Sequence, residues 1–161
     1  MGMSAVLQRV DKPELAVLHE RPQTIEEWLF EESQTLPKRH VDLDKAWHAL
    51  HFLLTGNLEP DGTPIGDAIL GGDPIGPDLG YGPARVISAD YAEEIHQAID
   101  STDIEAAYSK LDPGAAQLSM VYCGFEFDPE EVTYLADYFN QLKAFYADAA
   151  QHEQAIIAYI V

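Results

Sequence analysis

The stretch that decides the fold is Ala155-Ile-Ile-Ala-Tyr-Ile-Val161, in which every residue is apolar. A strand with water on one face alternates apolar and polar residues, whereas a strand buried on both faces is apolar throughout. Residues 155–161 therefore predict a strand covered on both faces. At the other end of the sequence, Ser4 to Val10 alternates loosely and predicts a second strand.

Two segments between these strands have the pattern of buried helices. The first is predicted from Asp42 to about Leu54, and Gly56 is its predicted stop. Its apolar stripe has 4-3-4 spacing and comprises Leu43, Trp47, Leu50 and Leu54. Phe52 points away from that stripe, so we expect this helix to be sandwiched between other elements.

The second buried helix is predicted after Asp128, which has proline next to it and acids in the following turn. It runs to about Gln151. One apolar stripe comprises Val132, Leu135, Phe139, Leu142 and Tyr146, and a second comprises Tyr134, Tyr138 and Phe145. The two stripes predict a broadly buried, central helix.

Shorter elements are predicted from their start signals. Helices are expected over Pro13 to Glu20, after capping boxes at Thr24–Glu27 and Thr102–Glu105, and after a Ser88 cap. Strands are expected over Arg85 to Ile87 and over Met120 to Phe127, the latter broken by Gly124. Together these elements predict one α+β domain over residues 1–161, with a small, mostly antiparallel sheet that includes both terminal strands and packs against several helices.

Residues 55–83 differ in composition, since they contain eight of the 11 glycines and five of the ten prolines. They predict a long irregular segment with one helical turn near residues 67–70. Irregular segments of this length are often functional. The alternative is that the segment only wraps the core.

The charge restricts the class of partner. The net charge is -19, and residues 41–161 contain 21 acids against four basic residues. Nucleic acids and anionic membranes are disfavoured, because both are bound mainly through lysine and arginine. A basic protein partner is permitted by the same charge, but the favoured alternative is that the acids only keep the protein soluble or reflect an acidic proteome. The N-terminal residues lack a signal-peptide pattern and Cys123 is the one cysteine, so a cytoplasmic location is predicted.

Four segments carry a family resemblance. They are VDLDKAWHALHFLLTG at 41–56, DAILGG at 67–72, DLGYGPAR at 78–85 and YLADYFNQLKAFYADAA at 134–150. Together they resemble the YfbM-like family of small bacterial proteins, a domain of unknown function. The resemblance covers essentially the whole chain and implies a bacterial α+β domain, but it implies no reaction and no catalytic residues.

The candidate catalytic or metal-binding set is Asp44, His48 and His51, whose spacing places them on one flank of the helix. A carboxylate and two imidazoles can bind a divalent transition metal. The alternative interpretation places Asp44 near the helix start and has His51 half-buried, donating to a backbone carbonyl. This alternative is favoured, and no cofactor is predicted.

The candidate binding residues are Asp78, Tyr81 and Arg85, in the second half of the glycine-rich segment. Phosphate binding there is disfavoured by the nearby aspartates. Arg85 is the one arginine after residue 39, and it is expected to pair with a loop aspartate and pin the loop to the sheet. Acidic neighbours argue against Cys123 as a nucleophile.

Two functions remain open at the level of sequence. The first is an acidic interaction protein that recognises a basic protein partner, one version being an immunity protein that neutralises a toxin. The alternative is a metal-assisted or acid–base enzyme that uses Asp44, His48 and His51 beside residues 55–83.

Overall fold

The fold is built on a five-stranded sheet in which all neighbouring strands are antiparallel. The computed structural model describes residues 2–32, 38–126 and 128–161. The strands are β1 (Ala5–Val10), β2 (His40–Asp42), β3 (Asp73–Asp78), β4 (Pro83–Ile87) and β5 (Ala155–Ile160), and their order across the sheet is β2-β1-β5-β4-β3. Both terminal strands belong to the sheet, which confirms the predicted α+β class.

The central strand is β5, which pairs with β1 on one side and β4 on the other. Alternation along β5 sends Ile156 and Ala158 to one face of the sheet and Ile157 and Tyr159 to the other, and all four are buried. The prediction that residues 155–161 form a strand covered on both faces is therefore confirmed over Ala155–Ile160.

Helices cover both faces of the sheet. The α-helices are α1 (Lys12–Glu20), α2 (Ile25–Glu27), α3 (Trp47–Thr55), α4 (Pro64–Leu70), α5 (Ala89–Asp100), α6 (Ile104–Lys110) and α7 (Pro129–Gln151). The larger core lies between the sheet and α3, α4, α5 and α7, with Leu50, Ile95 and Leu142 fully buried. The smaller core lies on the other face, where Leu18 of α1 and Ile25 of α2 pack. None of the helices in the described ranges is both long and apolar enough to cross a membrane.

Several predicted helix ends are confirmed. Asp128 accepts a hydrogen bond from the amide of Glu131 and starts α7, and Ser88 accepts one from Tyr91 and starts α5. Gly56 ends α3 with a φ of 71°, which is in the left-handed region that glycine enters without strain. Phe52 and Leu50 are both buried, so α3 is sandwiched as expected.

The two predicted capping boxes are wrong. The hydroxyl of Thr24 donates back to the carbonyl of Arg21, and that of Thr102 donates to the carbonyl of Ala98. Each hydroxyl satisfies an acceptor of the preceding turn instead of a donor of the next helix. Asp103 caps α6 instead, through the amides of Glu105 and Ala106.

The start of the helix predicted at Asp42 is also wrong. His40–Asp42 pairs with β1 as the edge strand β2, and a 3₁₀ turn over Asp44–Ala46 precedes α3. The carboxylate of Asp42 accepts the amide of Asp44, whose φ of 44° is incompatible with a continuous helix.

Residues 55–83 contain more regular structure than predicted, since they include α4 and the edge strand β3. Prolines 74 and 77 discourage a strand prediction, but an edge strand tolerates proline because one row of its amides needs no partner. Conversely, the strand predicted at 120–127 is wrong. A 3₁₀ helix ends at Met120, and a turn follows in which Cys123 and Gly124 have positive φ; Phe127 lies outside the described residues.

Candidate binding surface

One end of the sheet collects several exposed polar and aromatic side chains. Strand β1 begins there at Ala5, opposite Ile160 near the end of β5, and β2 ends there at Asp42, opposite Val6. Strand β4 begins at the same end, because it runs antiparallel to β5. Antiparallel pairing therefore places the turn between β3 and β4 at the same end of the sheet as residues 2–4.

The turn between β3 and β4 presents Tyr81 to solvent. A carboxylate oxygen of Asp78 accepts the amides of Gly80 at 2.6 Å and Gly82 at 3.1 Å, and these glycines have φ values of 118° and 97°. The turn is thus fixed by a side chain at its base and by two residues that tolerate positive φ. Tyr81 lies at its tip and is 56% exposed. Of the predicted binding residues, Asp78 shapes the turn and Tyr81 is the group presented.

Tyr122 lies next along this surface and is tied to the start of the chain. Its hydroxyl accepts the amide of Met3 at 2.6 Å, while the indole of Trp47 donates to the carbonyl of Met3 at 3.2 Å. The rings of Trp47 and Tyr122 stack with centroids 5.6 Å apart. A hydrogen bond with Cys123 and, more weakly, the charge of Tyr81 raise the pKa of Tyr122. Tyr81 is therefore within electrostatic reach of Tyr122.

His48 holds the backbone of Tyr122 in place through a hydrogen bond. Its Nδ1 accepts the amide of Tyr122 at 2.8 Å, and its Nε2 lies 3.0 Å from the carbonyl of Leu58. Since Nδ1 accepts, the ring proton is on Nε2, which donates to Leu58. Both nitrogens thus have backbone partners, and the imidazole links α3 to the segments at 58 and 122.

Asp44 and Tyr134 complete the surface. Asp44 is exposed and accepts the hydroxyl of Ser4 at 3.4 Å, which places its carboxylate beside the start of β1. Tyr134, in the second turn of α7, is 42% exposed and packs edge-to-face on Tyr138. Burial, Tyr138 and the charge of Asp44 raise the pKa of Tyr134 to about 12. We define the tyrosine–carboxylate surface as Asp44, Tyr81, Tyr122 and Tyr134.

His51 has a different environment from the other two members of the predicted metal set. Its side chain is 1% exposed, fully rather than half-buried, and neither ring nitrogen has a hydrogen-bond partner at normal distance. Burial lowers the pKa of His51, although the backbone of Glu59 and the carboxylates of Asp61 and Glu59 favour its protonated form. Burial thus favours the neutral form of the His51 imidazole, because a charged ring would lose its hydration there.

Asp44, His48 and His51 are consequently not assembled as one ligand set. Asp44 faces solvent, His48 uses both nitrogens on the backbone, and His51 is enclosed. Over residues 2–32, 38–126 and 128–161, no three His, Cys, Asp or Glu side chains are arranged to hold a metal ion.

Arg85 does not belong to the surface either. Its guanidinium donates to the carbonyls of Gly71 at 3.1 Å and Ile69 at 3.4 Å, at the end of α4. The predicted pairing with a loop aspartate is wrong: within the described ranges, Arg85 forms no ion pair. Carbonyls at a helix end lack intrahelical donors and carry partial negative charge, so they replace the carboxylate as partners of the half-buried cation.

The carboxylates around the tyrosine–carboxylate surface are largely without counter-ions. In the described part of the chain after residue 40, the one ion pair joins Lys143 to Asp100 at 3.8 Å. The sequence predicted Tyr134 on a buried stripe of α7, but this side chain is 42% exposed, and the sequence did not indicate Tyr122 as part of a site. Only the turn at 121–124 and the start of α7 bring these two tyrosines to the same end of the sheet.

Comparisons with known proteins give a family and a fold. The family model described as a domain of unknown function, DUF1877, matches residues 1–159. The crystal structure of YfbM from Escherichia coli, a protein of unknown function, is similar at a TM-score of 0.70 and 20% identity, covering 98% of this chain and 99% of that one. A comparison with curated proteins gives no match. The similarity to YfbM shows that the two chains share a fold. The match over residues 1–159 shows that this chain belongs to the DUF1877 family, a domain of unknown function.

Proposed function

We propose that this protein is a binding protein that recognises a basic segment of a partner protein through the tyrosine–carboxylate surface. The observation that carries the proposal is the placement of the exposed rings of Tyr81 and Tyr134 and the exposed carboxylate of Asp44 at one end of the sheet. An immunity protein that neutralises a basic toxin is one concrete form of this function.

The chemistry of these side chains supports a basic partner. Tyrosine provides a large contact area with few rotatable bonds, is enriched at protein interfaces and attracts lysine or arginine through its ring face. Carboxylates without counter-ions attract the same cations, and the net charge of -19 accelerates their approach. A surface that combines both groups favours a lysine- or arginine-rich segment over an acidic one.

The alternative function, a metal-assisted or acid–base enzyme at Asp44, His48 and His51, has less support. The two nitrogens of His48 are occupied by Tyr122 and Leu58. His51 is enclosed and opens to no solvent. Stoichiometric zinc, nickel, manganese or iron in protein purified without chelator would reverse this preference.

The proposed function is tested by affinity capture from the native lysate with immobilised wild-type protein and a Tyr81→Ser/Tyr134→Ser double variant. The wild type should retain a basic protein that elutes as salt is raised, because screening weakens the attraction. The double variant should bind that same protein about tenfold more weakly or worse, as expected for loss of interfacial tyrosines.

A matched control is Val17→Ser, which removes a 53% exposed apolar side chain from α1 on the other side of the sheet. It should bind the captured partner like the wild type. Capture of no basic protein would contradict the function, whereas equal binding by the double variant would contradict the surface assigned to it.

A further inference from the structure

A groove of about 340 Å³ lies between the β1–β2 edge of the sheet and α7. Its sheet side includes the basic Arg9, Lys38 and Arg39 together with His40 and the carboxylate of Asp42, and its helix side includes Phe145 and Asp148. The groove runs along β2, from Arg9 near the end of β1 to Asp42 at the end of the sheet that carries Tyr81. Its volume is in the range of small-molecule sites. We call it the Arg9 groove.

Arg9 is held in place without having its charge neutralised. It is half-buried, and its Nη1 donates to Oε1 of Gln154 at 2.7 Å. Gln154 is 4% exposed and is itself fixed, because its Nε2 donates to Asp11 at 2.7 Å. No carboxylate among the described side chains forms an ion pair with Arg9. A guanidinium has five N–H donors, so most of those on Arg9 remain available.

The lack of a counter-ion at Arg9 is unexpected in a chain with 28 acids and nine basic residues. The neighbouring Arg39 shows the usual outcome, since it pairs with Asp11 at 3.0 Å and Glu14 at 3.1 Å. Those two carboxylates form ion pairs with Arg39, whereas Arg9 donates to the uncharged side-chain amide of Gln154. Lys38, which lines the groove together with Arg9 and Arg39, is exposed and forms no ion pair with a described carboxylate.

The side chains on the helix side of the groove indicate which chemical groups the ligand carries besides its anionic group. Phe145 is 6% exposed and contributes an apolar wall, while Asp148 is exposed and can accept a hydrogen bond. We propose that the Arg9 groove binds a small organic anion whose phosphate or carboxylate group contacts Arg9 and Lys38 and whose apolar part packs on Phe145. This ligand is independent of the basic partner proposed above and uses none of the tyrosine–carboxylate surface.

The proposal is tested on the full chain by calorimetric and NMR titration with phenyl phosphate, benzoate and uncharged benzyl alcohol. Either anion should bind saturably and shift signals of Arg9, Lys38 and Phe145, and the stronger of the two identifies phosphate or carboxylate as the preferred group. Benzyl alcohol should bind at least about tenfold more weakly, because it lacks the charge-assisted hydrogen bonds.

Arg9→Gln should weaken binding of the preferred anion by about tenfold or more, and Lys38→Gln by a smaller factor. Arg21→Gln, which removes an exposed arginine outside the groove, should bind like the wild type. If Arg9→Gln does not fold, the binding measured for Lys38→Gln tests the proposal, because Lys38 is exposed and its replacement should leave the fold intact. Absence of saturable binding by both anions, equal binding of benzyl alcohol, or unchanged binding by the folded lysine variant would overturn the proposal.

Discussion

At the residue scale, the histidines of α3 show how burial decides the role of a side chain. His48 and His51 are three residues apart with ring centroids 6.5 Å apart, yet one has two backbone partners and the other has none at normal distance. An apolar environment favours the neutral ring and penalises its protonation. His51 should therefore make the stability of the fold depend on pH.

We expect the free energy of unfolding to decrease as the pH falls below about 6.5, the ordinary histidine pKa. The pKa of His51 is lowered by burial in the folded chain, so the unfolded chain binds more protons in this range and acid favours unfolding. His51→Phe removes this titration and the two unpaired nitrogens. Urea denaturation at pH 7 and pH 5.5 should show a smaller loss of stability for the variant than for the wild type.

His152→Gln is the control, because His152 is exposed at the end of α7. It should retain the pH dependence of the wild type. An equal loss of stability in wild type and His51→Phe between these pH values would show that His51 does not titrate as argued.

At the element scale, α4 and β4 are joined by one cation. Arg85 projects from β4 to the carbonyls of Ile69 and Gly71, and the buried Tyr146 of α7 donates to the carbonyl of Ala68 at 2.6 Å. Three elements, α4, β4 and α7, thus meet at the end of α4. This contact pins the glycine-rich segment to the sheet, as predicted, but it does so through the backbone rather than through an aspartate.

Arg85→Met should lower the free energy of unfolding by about 1–3 kcal/mol, because it leaves two backbone acceptors at the end of α4 without a donor. Methionine keeps most of the apolar stem, so lost packing is a minor part of the change. Lys110→Met on the exposed end of α6 is the control and should change stability little. Chemical denaturation of the three proteins measures both effects, and equal stability of Arg85→Met and wild type would contradict the pinning role.

At the scale of the whole molecule, charge acts against the compact state. The net charge is -19, and the described ranges contain ion pairs of only two cations, Arg39 and Lys143. Most carboxylates therefore repel one another without a nearby counter-ion, and dissolved salt screens that repulsion over about 10 Å at 0.1 M.

Raising sodium chloride from about 10 mM to about 150 mM should increase the midpoint of thermal unfolding, because screening removes more repulsion than attraction. Potassium chloride should act equally, since the effect belongs to ionic strength and not to one cation. Scanning calorimetry measures the midpoints. A decrease with salt would show that attractive charge pairs dominate the stability of the fold.

The sequence by itself determined the elements whose signals are local. The wholly apolar residues 155–160, the long α7 with its Asp128 cap and the end of α3 at Gly56 were all predicted, because burial and capping leave their pattern in consecutive residues. The α+β class followed from the order of these elements. The negative charge was likewise readable without any structure.

Only the tertiary structure decided which segments meet. Strand β3 forms by pairing with the edge of β4. Arg85 donates to backbone carbonyls because α4 ends beside it. Strand pairing and helix packing bring the exposed Tyr81 and Tyr134 to one end of the sheet. The same holds for Arg9, which lacks a counter-ion because Arg39 takes the two nearby acids. Periodicity reports how deeply a residue is buried, whereas the partner of a side chain depends on strand register and helix packing between residues far apart in the sequence.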